Sequence, residues 1–268
     1  MRLSGKRLLV VGASSGLGRA TALQAAAEGA RVCFASRRVE RIEQAAREAG
    51  NGAFAVACDV RDEASCGNAV ARAVQEMGGL DGFVYSPATS TFGPIEGVDA
   101  AEWRKVFETN VIGVSLLLNA AIDPLSAARG KAVIFSSIVI DDSPPRPQQA
   151  SYVVSKSALE RLIEAWQGEH RSVGFTAIAS GDTITEFGTD HDMETLVPIV
   201  QRWGELEYLY GRMMEADSVA AQAINALASP ETVRRIAITP AFPEGDGSLD
   251  SHSAEFEFEQ MGRTEGDV

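Results

Sequence analysis

The chain has 268 residues, with 24 basic against 37 acidic side chains, a formal charge of 24 − 37 = −13. A surface this acidic repels phosphate backbones and argues against a nucleic-acid partner. No apolar run reaches the ~18 residues that suggest a membrane span. Met1 to Gly5 leaves no room for a signal peptide before the first strand, so the expectation is a cytoplasmic protein. The length suits one α/β domain whose core needs neither a disulfide nor a metal. Cys33, Cys58 and Cys66 are odd in number and lack metal-like spacing, which reads as buried free thiols.

Short apolar runs alternate with longer helical patterns. Arg7–Val11 reads as a strand and Gly16–Glu28 as an Ala-rich helix. Strand Arg31–Ala35 and a charged amphipathic helix over Val39–Ala49 follow. Strand Ala53–Ala57 precedes a helix over Asp62–Met77, and strand Gly82–Tyr85 precedes a long helix over Asp99–Leu125. Strand Lys131–Phe135, helix Ser151–Glu169, strand Phe175–Ala179, helix Asp217–Ala228 and strand Arg235–Thr239 complete the series. Seven strands separated by helices predict an α/β fold: a Rossmann-type, doubly wound, seven-stranded parallel sheet with helices on both faces. Ligands then sit at the carboxyl ends of the strands.

This single domain is expected to span residues 1–241. Within it, residues 181–215 are long for a connection and too apolar for a solvated linker, which reads as a lid. Residues 242–268 hold eight acids against Arg263, a net 1 − 8 = −7. A tail of that composition is expected to be flexible.

The turn after the first strand reads Gly12-Ala13-Ser14-Ser15-Gly16-Leu17-Gly18. Glycines permit a tight turn and let backbone N–H groups approach a diphosphate at a helix N-terminus. Three glycines alone could be an ordinary connection; the strand before and helix after point to a dinucleotide. NAD-binding folds place an acid about 20 residues beyond this turn to hold the ribose hydroxyls. Here the second strand ends in Ser36-Arg37-Arg38, with no carboxylate to repel a 2′-phosphate and two guanidinium groups to bind one. The expected cofactor is NADP(H). The competing reading makes Arg37 and Arg38 the start of a solvated helix. Asp59, followed by Val60 at the end of the third strand, could accept a hydrogen bond from an adenine amino group or merely cap the next helix.

Tyr152 and Lys156 lie four apart on a predicted helix and share a face. A free tyrosine, with pKa near ~10, is too weak a base at neutral pH, and a neighbouring ammonium lowers that value. The pair can therefore serve as a general acid/base for a hydroxyl proton. By itself such a pair is more often surface decoration.

Taken in order, the Gly12/Gly16/Gly18 turn, Asp59, Asn110 in Thr109-Asn110-Val111, Ser136-Ser137 and Tyr152 through Lys156 resemble the short-chain dehydrogenase/reductase family, single-domain branch, over roughly Leu3 to Thr239. The resemblance implies a tetrad of Asn110, Ser137, Tyr152 and Lys156. Tyr would exchange the substrate proton, Lys would bind the nicotinamide ribose, Ser would polarise the carbonyl and Asn would hold a relay water. It implies cofactor contacts from Gly12, Ser14, Ser15, Gly16, Leu17, Gly18, Ser36, Arg37, Arg38, Asp59, Val60, Asn110, Tyr152, Lys156, Thr183 and Thr185. It also implies a homodimer or homotetramer packed through residues 99–125 and 151–169. Ser136 competes with Ser137 for the carbonyl role. The competing readings make Asn110 a helix-kink or capping residue and Ser137 a strand-end cap.

Several positions depart from the family pattern. Val11 replaces a Thr before the first glycine, and Tyr85-Ser86-Pro87-Ala88 replaces Asn-Asn-Ala-Gly. Ser180-Gly181 replaces Pro-Gly. The gap from Ser137 to Tyr152 is two residues longer than the pattern, with Asp141 to Arg146 expected to loop out at the rim. The expected activity is interconversion of a ketone and a secondary alcohol by hydride transfer, on an apolar small molecule suggested by the lid. A non-catalytic NADP-binding sensor or scaffold would be free to lose the tetrad. An extended-branch epimerase would need different glycine spacing and a larger C-terminal domain. His170, His191 and His252 do not cluster, so no metal is expected, and His191 reads more readily as solvated than as a substrate contact.

Overall fold

The computed structural model describes residues 1–188 and 191–241; the acidic tail from 242 lies outside them. Among the described residues, seven parallel strands run in the order β3-β2-β1-β4-β5-β6-β7. They are β1 (Arg7–Val11), β2 (Arg31–Ser36), β3 (Phe54–Ala57), β4 (Gly82–Tyr85), β5 (Lys131–Ser137), β6 (Gly174–Ser180) and β7 (Arg235–Ile238). The order reverses between β1 and β4, so their connections leave toward opposite sides and open a crevice at the carboxyl ends.

Helices cover both faces, as a parallel sheet requires. Helices α1 (Gly16–Ala27) and α2 (Val39–Ala49) join the last helix, α8 (Ala216–Ala228), on one face, burying Ala22, Ala25, Ile42, Ala223 and Ile224 against Val10, Val32 and Val133. The alanines let α1 and α8 approach closely. On the other face lie α3 (Glu63–Met77), α5 (Gly113–Ala128) and α6 (Ala150–Glu169), packed on Leu9, Cys33, Phe83 and Ile134. The three cysteines are free and buried in this packing. The starts of α3 and of α4 (Ala100–Phe107) are set by Asp62, which accepts from the Ala64 and Ser65 N–H groups, and by an Asp99/Glu102 capping box.

The long helix expected over 99–125 is not uniform. A π turn over Glu108–Ile112 separates α4 from α5 and carries Asn110, so the helix-kink reading of this residue holds. Residues 100–128 together form a 29-residue helical run, long and apolar enough by composition to cross a membrane, though polar residues such as Glu108, Asn119 and Asp123 interrupt it. Here Val114, Leu117, Leu118, Ala121 and Leu125 from this run lie in the core. The lid segment also carries structure: α7 (Met193–Glu205) starts at Asp192, whose side chain accepts from Thr195 N–H.

Strands β5 and β6 extend beyond their expected ends and pair as far as Ser137 with Ser180. Polar serines weakened the apolar signal there, yet the ladder continues because both chains remain extended. This extension brings Ser137 into the crevice. Gly18 lies outside the cleft lining, packed tightly against the turn. A Cβ on it would lie 2.3 Å from the Gly12 carbonyl oxygen and 3.1 Å from Ser86 Cβ. Gly18→Ala should therefore push α1 off the turn and cost about 1–3 kcal/mol, read as a lower urea midpoint; an unchanged midpoint would show that the turn can yield.

Candidate active site

The crevice is a cleft of about 790 Å³ bordered by the ends of β1 to β6 and by the lid. Its floor at one end is the glycine turn. Gly12 and Gly16 adopt φ of +82° and +51°, which favour glycine. A Cβ at Gly12 would lie 2.9 Å from Pro87, and one at Gly16 would lie 3.1 Å from Thr185. The bare backbone thus forms a cradle at the α1 N-terminus that fits a diphosphate. Ser14, Ser15, Leu17, Ser36, Asp59, Val60, Thr183 and Thr185 line the same cleft.

Of the two arginines after β2, Arg38 is the one turned onto the cradle. Its guanidinium donates to Ser14 Oγ at 2.8 Å and Ser15 Oγ at 2.6 Å, and its backbone N–H donates to Ser36 Oγ. Arg38 and Arg41 both pair with Glu186, each at 2.5 Å. This lid carboxylate was not anticipated, because 145 residues or more separate the partners. Arg37 lines the cleft as well and helps lower the Asp59 pKa. Arg61 grips Asp59 through Nε and Nη2 and pulls its carboxyl down to about 2. Asp59 is therefore an ionised acceptor shared with Arg61.

At the other end, Lys156 is 2% exposed and donates to the Phe135 carbonyl at 2.7 Å. Its Nζ lies 5.6 Å from the centre of the Tyr152 ring. Burial pushes the lysine pKa down to about 7 and the Tyr152 pKa up to about 12, the latter opposed by the Ser137 hydroxyl and the Arg146 charge. Burial thus outweighs the stabilisation that a charged lysine was expected to give the phenolate. The hydrogen bond to Tyr152 favours Ser137 over Ser136, whose buried Oγ has no partner among the described residues.

Asn110 is fully buried and does not line the cleft. Its Oδ1 accepts from Thr89 N–H at 2.9 Å, while Nδ2 donates to the Thr89 carbonyl at 2.8 Å and to Ser155 Oγ at 2.9 Å. It positions the segment after β4 against α6. The unusual Tyr85 supports the same corner, donating its phenolic proton to the Thr109 carbonyl within the π turn at 2.5 Å.

Sequence reasoning missed the wall beyond Tyr152. Phe187 lies 5.1 Å from the Tyr152 ring, and Phe92 contacts Phe187, Trp203 and His191. His191, read as solvated, instead lines the cleft with its ring edge-on to Phe92 at 4.9 Å. Arg146, Gln149 and Asp182 also line it. Arg146 is 2% exposed, bonded through Nε to Asp142 and through Nη1 to Asp182, both at 2.9 Å. The Asp141–Arg146 stretch was the one available hint, and it read as a rim loop.

Lys156 makes a stability prediction. Its pKa is about 7 in the folded protein against an ordinary 10.5. Between those values the unfolded chain binds more protons, so this group makes stability rise with pH. Lys156→Met should abolish that contribution, on the order of 2 kcal/mol between pH 7 and 9. Urea unfolding of both proteins at the two pH values reads the difference; equal pH slopes would contradict a depressed lysine.

A family model described as "short chain dehydrogenase" matches residues 6–195. The chain is 30% identical over 228 residues to cis-4-hydroxycyclohexanecarboxylate dehydrogenase of Sinomonas cyclohexanicum, covering 84% of each chain. It is also 30% identical over 240 residues to glycine betaine reductase of Emericella nidulans, covering 86% of this chain but only 18% of that much longer protein. An alcohol dehydrogenase structure from the archaeon Thermococcus sibiricus, complexed with 5-hydroxy-NADP, superposes with a TM-score of 0.75 at 24% identity, over 90% of this chain and 99% of that one. That likeness shows the fold. With the matched residues running from β1 through the glycine turn and the Tyr152/Lys156 pair, the chain belongs to the short chain dehydrogenase family.

Proposed function

We propose that the protein is an NADP(H)-dependent oxidoreductase that interconverts a ketone and a secondary alcohol, with Tyr152 as general acid/base. The observation that carries this reading is the buried Tyr152 phenol, hydrogen-bonded to Ser137 and set beside Lys156 in the same cleft as the glycine cradle. Hydride chemistry is what a bound nicotinamide supplies; the chain's own part is binding and proton handling. With a pKa near 12, Tyr152 holds its proton at neutral pH, poised to donate to a ketone oxygen. Ser137, bonded to the same phenol, is placed to polarise that oxygen. In the reverse direction a protonated Lys156 favours the phenolate that must accept the alcohol proton.

Arg38 and Arg41 support a 2′-phosphate. Their two positive charges face a single carboxylate, and Arg37 adds a third cation nearby. A phosphate entering there would compete with Glu186 for the two guanidinium groups. The lid side of the cleft, with Phe92, Phe187, Leu196, Val200 and Trp203, supports a largely apolar substrate.

Tyr152→Phe should lower turnover of a ketone panel by ~10²–10⁴-fold while NADPH still binds, as read by cofactor fluorescence. Retained turnover would dismiss Tyr152 as the acid. Arg38→Ala should weaken NADPH binding by roughly 10–100-fold relative to NADH, the worth of charged hydrogen bonds. An unchanged ratio would remove the 2′-phosphate assignment. We further propose a homodimer or homotetramer through α5 and α6, supported by Ile112 in the π turn and Val154 on α6, which are nearly half exposed apolar residues. Sedimentation velocity should then give a mass of two or four chains, and a monomer at micromolar concentration would refute it.

A further inference from the structure

The side of the cleft beyond Tyr152 holds three buried polar atoms that no described residue satisfies: Arg146 Nη2, Gln149 Oε1 and Asp182 Oδ2. All three residues line the cleft that contains Tyr152. Arg146 and Asp182 both act electrostatically on the Tyr152 phenol, which places them near the reacting end. A buried donor or acceptor left unpaired costs free energy, so such groups in folded proteins point to a missing partner.

The cluster is built rather than loose. Asp142 and Asp182 fix two edges of the Arg146 guanidinium, and its centre lies 5.6 Å from the middle of the Trp203 ring. Trp203 Nε1 in turn donates to the Pro147 carbonyl at 2.8 Å, and the Tyr208 hydroxyl donates to the Pro144 carbonyl at 2.8 Å. The lid thereby pins the segment between β5 and α6. Gln149, 5% exposed, immediately precedes α6, three residues before Tyr152.

We propose that Arg146, Gln149 and Asp182 form a polar subsite that takes a second, neutral hydroxyl group of the substrate. One unpaired donor and two unpaired acceptors, covered in the cleft wall until a small side-chain shift exposes them, complement a hydroxyl, which both donates and accepts. Charge selects against a carboxylate: two aspartate carboxyls already face the one guanidinium, so no cation is left over for an incoming anion. The substrate class is then an apolar carbon frame carrying a second hydroxyl beside the reacting carbinol or ketone. The subsite rests on the alcohol–ketone reading above for its place in turnover, but its occupancy can be read by binding alone.

The test compares cyclohexanol with the cyclohexane-1,2-, 1,3- and 1,4-diols and with 4-hydroxycyclohexanecarboxylate, using the full chain and NADP⁺. Two quantities are read: kcat/KM from NADPH absorbance, and Kd from calorimetric titration. The best diol should exceed cyclohexanol about tenfold in both, the worth of one added hydrogen bond. Gln149→Leu removes one acceptor at similar size, and Arg146→Lys keeps the charge but loses the fork. Each should bring the diol-to-cyclohexanol ratio close to one, a ratio that a uniform loss of active protein does not change. Equal binding of diol and cyclohexanol by the wild type, a preference for the carboxylate, or a ratio untouched by both variants would overturn the subsite. Diol preference in binding without turnover would support the subsite and count against the oxidoreductase reading; turnover without diol preference would do the reverse.

Discussion

The Asn110 carboxamide holds three parts of the cleft in register. Its hydrogen bonds reach both backbone groups of Thr89 and the Ser155 hydroxyl, and Ser155 donates to the Tyr152 carbonyl. The loop after β4, the π turn and α6 are thereby fixed to one another. A buried amide that lost one of these partners would leave polar atoms unsatisfied, so the arrangement has few alternatives. Tyr152 and Lys156 inherit their positions from it. The π turn over Glu108–Ile112 carries Asn110, whose side chain bonds Thr89 at the edge of the cleft.

The second constraint is the burial of charge at the reacting end. Lys156, Tyr152 and Arg146 are all removed from water, and each is handled differently. Lys156 has a backbone carbonyl and a depressed pKa. Tyr152 keeps its proton. Arg146, which cannot lose its charge, carries two aspartates with it. A wall of aromatic rings, from Phe187 through Phe92 to Trp203, borders this end. Low dielectric strengthens every one of these interactions. Here an unpaired polar atom is costly, and a substrate group that pairs with it gains affinity.

The cofactor end works in the opposite regime. Arg38, Arg41 and Glu186 are substantially exposed, so their pairing is weak and exchangeable. Glu186 belongs to the segment that follows β6, as do Thr183 and Thr185 in the cleft wall. The lid therefore meets the cradle side of the cleft at these guanidinium groups. The lid's apolar residues and its Glu186 carboxylate lie at two ends of one cleft.

The periodicity of apolar runs was enough to define the parallel sheet, because strands buried on both faces read as short continuous apolar stretches. The glycine turn was equally legible, since left-handed backbone and close approach admit almost no other residue. Ser137, Tyr152 and Lys156 were legible through their order and spacing, and they do meet in the cleft. The strand ends at Ser137 and Ser180 were missed because serines carry no hydrophobic signal. The direction of the Tyr152 shift was also misjudged, since burial is a property of the packed chain and not of a Tyr-x-x-x-Lys spacing. Arg146 with Asp182, and Arg38 with Glu186, were invisible for a related reason. Nothing in a sequence pairs charges 36 or 148 residues apart. The sequence by itself determined the fold, the glycine turn and the shared helix face of Tyr152 and Lys156, because those follow from local backbone and hydrophobic rules. Only the tertiary structure decided which arginine faces the cradle, what Asn110 holds and which polar atoms stay unpaired, because long-range packing alone sets desolvation and charge partners.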